Sequence, residues 1–491
     1  MKKKKIFYLT TVLVLFVISL LSLFSINSQD KYYKEKDMTF KKNKNDYIAV
    51  YINGDLQENG QFPQTKTYTA SLECKDSNGN IVNTSSSVKW NKYLKKWEIS
   101  VSEVENTHLK CNAYFNNKTS TWNNPSTGSL LAAIKSSNPT ISSPVTVPGK
   151  KKSNDDEAIL ASAEDDYGTS YYFRGAVENN YVIFAHMCWR IVRVDGRSNI
   201  KIILYNYNPD GIKNPCADSE KGTGKAYARY DNTFNGVEGR TQFNSTGKNA
   251  NVGFMYGDTV ADKGSMTDIQ AYDQEHENKY ESKALTALKK WYVKALGENA
   301  DIDYSDYLAD VVWCADKSLA KQSFNFNNSY TNLGYGSEKT HYGADDRLAS
   351  STSGLGPTFK CPDASGTDKN LSRFTTVNSS EGNKKLTYPI GLLTADEAVY
   401  AGAVLTYQNK TFYLYGNTGE GTVALNYSWW LLSPRNYSGT QPMMGYINIY
   451  GGYENRATNA AFGLRPVVAL VPTTDILSGG DGSSSNPFVI D

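Results

Sequence analysis

Two short apolar runs near the carboxyl end constrain the fold more than any other feature. Residues 426–435 (NYSWWLLSPR) carry paired tryptophans and two leucines into a Ser-Pro turn, and residues 462–471 (FGLRPVVALV) enter an unbroken apolar run through Gly-Leu-Arg-Pro. Short apolar runs bounded by turn residues suit strands covered on both faces. The expectation is a frame of two buried strands that carries the intervening segment 436–460. That segment is rich in Tyr, Asn, Gly, Ser and Thr, the composition of loops and exposed hairpins, and is expected to face outward. Arg465, set inside the apolar run, is expected to be buried and paired.

The chain has 491 residues and 40% hydrophobic content, enough for two cores. Its 52 basic and 50 acidic residues leave a net charge of +2, which argues against nucleic acid as a partner. Its 35 tyrosines stand beside 8 tryptophans and 18 phenylalanines. Tyrosine offers contact area with a polar tip and few rotamers to freeze, so binding surfaces favour it.

At the amino end, Lys2–Lys5 precede an almost purely apolar run over 6–26. As a helix this run would span roughly 30 Å, a bilayer core, and no good cleavage site follows it. The reading is an uncleaved signal anchor over 1–30, a single-pass cell-membrane protein with the rest of the chain outside, with a cleaved signal peptide as the alternative. A juxtamembrane stalk follows over 31–45. Residues 46–118 alternate as short strands separated by Asn-Gly turns, which suggests a small antiparallel β-sandwich. Residues 119–156 are expected as a linker, clearest over the Ser-, Pro- and Lys-rich 137–156, with one helix over the apolar patch 130–134. Residues 157–491 would form a large α+β head domain. A short helix is expected over 157–163 and the strongest over 282–296, where Leu285, Leu288, Trp291 and Tyr292 make one stripe. Another should begin at the capping box Thr394-Ala-Asp-Glu397.

Cys74, Cys111, Cys188, Cys216, Cys314 and Cys361 contain no C-x-x-C pair. An even count in an exported chain points to disulfides rather than zinc. Proximity suggests 74–111, 188–216 and 314–361, although the count alone leaves the connectivity open.

No nucleophile elbow, H-E-x-x-H or phosphate-binding loop is present. Calcium is the one cofactor with any support, through Asp301, Asp303 and Asp306 in a loop after Gly297. A glycan or protein ligand is expected at Tyr437, Tyr446, Asn448, Tyr450, Tyr453, Asn455 and Arg456, whose rings and amides suit stacking on sugars or on a protein partner. The alternatives are a purely structural surface protein, or an exported enzyme on cell-wall or glycan substrates. The enzyme would need a carboxylate pair drawn from Asp301, Asp303, Asp345 and Asp346.

Several blocks together resemble an uncharacterised domain family of exported Gram-positive bacterial proteins. They are YVIFA from Tyr181, CWRIVR from Cys188, VWCADKS from Val312, YGADDRL from Tyr342, YPIGLLTADE from Tyr388, WWLLSP from Trp429 and GLRP from Gly463. The closing pair is similar, more loosely, to the C-type-lectin-like fold of formylglycine-generating enzymes. That resemblance implies a lectin-like head with ligand-binding residues near the carboxyl end. It implies no redox chemistry, because the catalytic cysteines of those enzymes lie late in the domain and none here follows Cys361.

Overall fold

The computed structural model describes residues 47–490 apart from 59, 83–86, 101–108, 221–232, 235–236, 239, 322–329, 349–354, 363–369, 416–427 and 478. The apolar run 6–26 and the stalk 31–45 lie outside the described residues. Among the described residues no helix is long and apolar enough to cross a membrane. The expected single-pass membrane placement is therefore corrected: it has no support in the described structure. The chain divides into two units, Met1–Lys118 and Thr119–Asp491.

The first unit contains β1 (Tyr47–Ile52), β2 (Tyr68–Lys75), β3 (Ser87–Asn91), β4 (Lys96–Ser100) and β5 (Lys110–Asn117). Strand β5 buries Cys111, Ala113 and Phe115 at every second position, as a strand covered on one face must. It pairs antiparallel with β2, with Cys74 opposite Cys111, and these two form a disulfide. The expected all-antiparallel sandwich needs correction, because β1 and β5 run parallel. The first and last strands of the unit lie side by side, and a parallel pair needs such a long crossover. Strands β3 and β4 form a separate hairpin, whose Trp97 packs on Phe115.

The second unit is mostly β-sheet. Among its described residues stand five α-helices, each short: α1 (Leu130–Ser137), α2 (Asp268–His276), α3 (Lys283–Ala295), α4 (Gly343–Leu348) and α5 (Ala395–Ala401). This corrects the expectation of an α+β, C-type-lectin-like head. Helix α3 forms where its stripe predicts it, capped by Ser282, with Leu285, Leu288, Trp291 and Tyr292 buried. The capping box at Thr394 opens α5.

The larger sheet is built from β6 (Ala158–Asp165), β7 (Gly168–Gly175), β8 (Tyr181–Phe184), β9 (Met187–Val194), β10 (Ile200–Asn206) and, late in the chain, Val467–Leu470. Its order is Val467–Leu470, β10, β9, β7, β6, with β8 also on β9. Of residues 157–163, expected as a helix, 158–163 are strand instead, zipped to β7 from Ala158–Gly175 to Asp165–Gly168. The second sheet holds β11 (Trp429–Tyr437), β12 (Pro442–Ile447), β13 (Tyr453–Ala457) and β14 (Ala461–Gly463), in the order β14, β11, β12, β13.

Residues 119–156 are not a linker. They belong to this unit, and α1 sinks Leu130, Leu131 and Ile134 into the main core. Trp122 stacks on Tyr171 at 4.2 Å, and Thr146 is a partner of the buried Arg174.

Candidate functional site

The two apolar runs do not make one frame. Strand β11 lies in the second sheet, and the run that begins at Val467 lies in the first, beside β10. Gly463 meets β11 only opposite Trp429, and the chain then crosses between sheets at Arg465. That guanidinium is fully buried. It donates to the carbonyls of Leu204 at 3.1 Å and Leu414 at 2.6 Å and lies over the Trp429 ring, so it fastens the crossing.

The segment expected to face outward folds inward as β12 and β13. Tyr437, Tyr446 and Tyr453 are 4%, 7% and 0% exposed. The Tyr446 hydroxyl donates to Glu454 at 2.5 Å, and the Asn448 amide donates to the same carboxylate at 2.7 Å. The Asn448 oxygen accepts from the backbone of Tyr450 and Gly452, and Asn455 bonds Asn436. Of the seven expected contact residues, only Tyr450 and Arg456 are exposed. The Tyr- and Asn-rich segment is thus part of a sheet; Tyr446, Asn448 and Asn455 are engaged there, and the Tyr453 hydroxyl is buried without a partner among the described residues.

The acidic candidates are also separated in purpose. Asp303 accepts from the Ser305 backbone at 2.9 Å, closing a turn. Asp345 is buried against His341 and Arg435, whereas Asp346 accepts from the Lys321 backbone. Asp345 and Asp346 therefore do not face one another as an acid–base pair. Among the described residues no group of three or more acidic, His or Cys side chains is placed to hold a metal ion.

A narrow slit of about 40 Å³ is lined by Asp165, Arg193, Lys201, Asp316, Arg347, Asp396 and Glu397. Arg193 bridges Glu397 at 3.0 Å and Asp165 at 3.1 Å, and Lys201 meets Glu397 at 2.5 Å. Arg347 bridges Asp396 at 2.7 Å and Asp316 at 2.8 Å. Burial opposes the Glu397 charge, but Lys201 and Arg193 outweigh it and hold the carboxyl at about 2. The slit has room for a few waters, and its charges are spent on one another. It joins α4 and α5 to the larger sheet.

Among the described residues, two concavities with room for a ligand lie elsewhere: one of about 360 Å³ beside Trp122, Tyr171 and Arg197, and a roomier one of about 470 Å³. Four segments build it. The last turns of α3 supply Trp291, Lys294 and Ala295, and the following loop supplies Asn299, Ala300, Asp301 and Tyr304. The turn from β8 to β9 supplies Ala185, His186 and Met187, and the loop after β10 supplies Tyr207, Asn208 and Gly211. Met187, Trp291 and Tyr304 are buried and set the inner wall, while His186, Lys294, Asn299 and Asp301 stand exposed at the rim. Trp291 is wedged edge-on against Trp189, and Tyr304 against Phe184, so the wall is rigid.

The rim turn carries strain. Ala185 and His186 have φ of 52° and 61°, the left-handed pair that a two-residue hairpin demands and that Asn-Gly usually fills. Asn208 holds it, donating to the His186 carbonyl at 2.8 Å while closing its own loop through Ile212. The Cys188–Cys216 disulfide pins the start of β9 two residues away. The third disulfide joins Cys314 and Cys361. Of the residues singled out in the sequence as site candidates, Asp301 alone lines this cavity. His186 was readable only as an Ala-His pair between two apolar runs.

No protein-family model, curated protein or solved structure matches this chain. The three disulfides fit an extracellular protein.

Proposed function

We propose that the protein is an extracellular carbohydrate-binding protein and that its site is the cavity beside the Ala185–His186 turn. One observation carries this: a preformed hollow of about 470 Å³ with an aromatic inner wall and a rim of imidazole, amine, amide and carboxylate. That volume falls among ordinary small-ligand sites, and suits a sugar unit or two. The apolar face of a pyranose would rest along Tyr207, with the buried Trp291 as the floor behind it. Its hydroxyls would reach Lys294, which donates, Asp301, which accepts, and His186 and Asn299, which can do both. The wall is fixed before a ligand arrives, so little ordering cost falls on binding.

The test is a glycan array with the full-length chain, followed by titration calorimetry on the best hit. Tyr207→Ala and Asp301→Ala should each weaken binding at least tenfold, while Tyr450→Ala on β12–β13 should not. Undiminished binding in both cavity variants would remove the site, and no binding to any glycan would remove the reading.

A further inference from the structure

Lys317 and Asn278 meet in the interior of the second unit. Lys317 has no exposed surface and Asn278 has 2%. The amine donates to the Asn278 side-chain oxygen at 2.6 Å and to the Met255 carbonyl at 2.7 Å. Among the described residues it has no carboxylate partner, unlike the buried Lys201, which pairs with Glu397. An unpaired buried ammonium is costly, and burial pushes the Lys317 amine down to about 7. A large share is therefore the neutral nucleophile in near-neutral solution.

The reacting groups are held from both sides. The lysine stem passes Gly253, where even a Cβ would stand 3.0 Å from its Cε, so no larger residue fits there without displacing it. The Lys317 backbone is fixed by Ser372 Oγ and the Tyr272 hydroxyl. The Asn278 amide nitrogen donates to the Leu371 carbonyl at 3.0 Å, which sets the plane of the carboxamide. With the amine 2.6 Å from Oδ1 and a C=O bond of about 1.2 Å, the carbon bonded to that oxygen lies within about 4 Å of the amine nitrogen, so a small movement brings the pair to reacting distance.

We propose that Lys317 and Asn278 form an intramolecular amide cross-link. The Nζ lone pair adds to Cγ of Asn278 and the carbonyl electrons move onto Oδ1. As the carbonyl re-forms, the bond from Cγ to Nδ2 breaks, and Nδ2 leaves as ammonia with a proton given up by Nζ. An amine and a primary amide become a secondary amide and ammonia, with no oxidant, reductant or second substrate. The product removes a buried ionisable group and ties the chain just after α2 to the segment that also carries Cys314. In an extracellular protein it would act as a strut that reductants cannot cut.

Tryptic peptides of the reduced, unfolded full-length chain, read by tandem mass spectrometry, decide the matter. The expected product is one branched peptide containing both residues, uncut at Lys317 and lighter by one ammonia than its two linear parts. Asn278→Asp should give a branched peptide of identical mass, since it loses water instead, and Lys317→Arg should give linear peptides alone. Recovery of only linear peptides from the folded wild-type chain would overturn the proposal, whatever the variants do.

Discussion

Glu275 offers a stability prediction whose sign and size follow from its surroundings. It lies in α2 without exposed surface, and one carboxyl oxygen accepts from the backbone of Val260 and Gly336 at 2.8 Å each. The other oxygen has no partner. Burial raises the carboxyl to about 7 against those two hydrogen bonds, from an ordinary value of 4.5. The folded form therefore keeps its proton where the unfolded chain has lost it. This contribution is complete below about pH 4.5 and is lost as pH rises through about 7. The gap between 4.5 and about 7 corresponds to about 3 kcal/mol. Glu275→Gln removes the titration but places an amide where no acceptor waits, so a constant offset is expected as well. Only the pH dependence of the difference matters. Urea midpoints, followed by tryptophan fluorescence at about pH 5 and about pH 8, should show wild type losing roughly 1 M relative to the variant, for a slope of about 3 kcal/mol per M. A difference that stays constant across that range refutes the argument.

Replacing Cys188 and Cys216 together by serine should destabilise the second unit by about 3–4 kcal/mol, because the bridge closes a sequence separation of 28 residues; thermal melts check it, and proteolysis should find the loop after β10 first. His186→Gly should relieve the left-handed turn and raise stability by about 1 kcal/mol, read in the same melts. Arg347→Ala would leave Asp316 and Asp396 buried without their shared counter-ion and should cost about 3–5 kcal/mol, measured by denaturant unfolding. An unchanged midpoint in that last variant would mean the slit is wetter than its geometry implies.

The local elements were legible where one physical signal acted alone. The stripe of α3 and its Ser282 cap, the capping box of α5 and the alternation of β5 all describe a chain meeting one apolar surface. Residues 157–163 misled because Asp155 and Asp156 look like the acidic start of a helix. Their real partner is β7, and small Ala and Ser side chains hide the two-residue period. Within 119–156 the apolar patch 130–134 does form a helix, but the rest of the stretch, linker-like in composition, misled for a related reason. Its polar groups serve the body rather than solvent: Ser129 caps α1, and Ser153 bonds Asn409. Partner choice was hidden altogether. That Val467–Leu470 joins β10 depends on a pairing across more than half the chain, whereas β11 pairs locally with β12 in the other sheet.

The tyrosines show why composition alone did not locate a binding surface. A tyrosine becomes a contact residue or a core residue according to which face of the sheet its strand pairing gives it, and a partner for the hydroxyl is not required: Tyr453 is fully buried with its hydroxyl unbonded among the described residues. In the β12–β13 hairpin Tyr446 stands directly opposite Glu454, and Ile447 opposite Tyr453. The acid takes up the hydroxyl, and the Tyr453 ring goes to the interior. That answer lay in the mirror relation of the two strands about Tyr450, which a reading by composition passes over. The cavity at His186 has the reverse character. Its segments are unremarkable one by one, and a hollow arises because a strained turn, the end of α3 and the loop after β10 meet around side chains already committed to one another. A site assembled in this way leaves its trace in backbone geometry, here two non-glycine residues at positive φ, rather than in any local excess of aromatic residues.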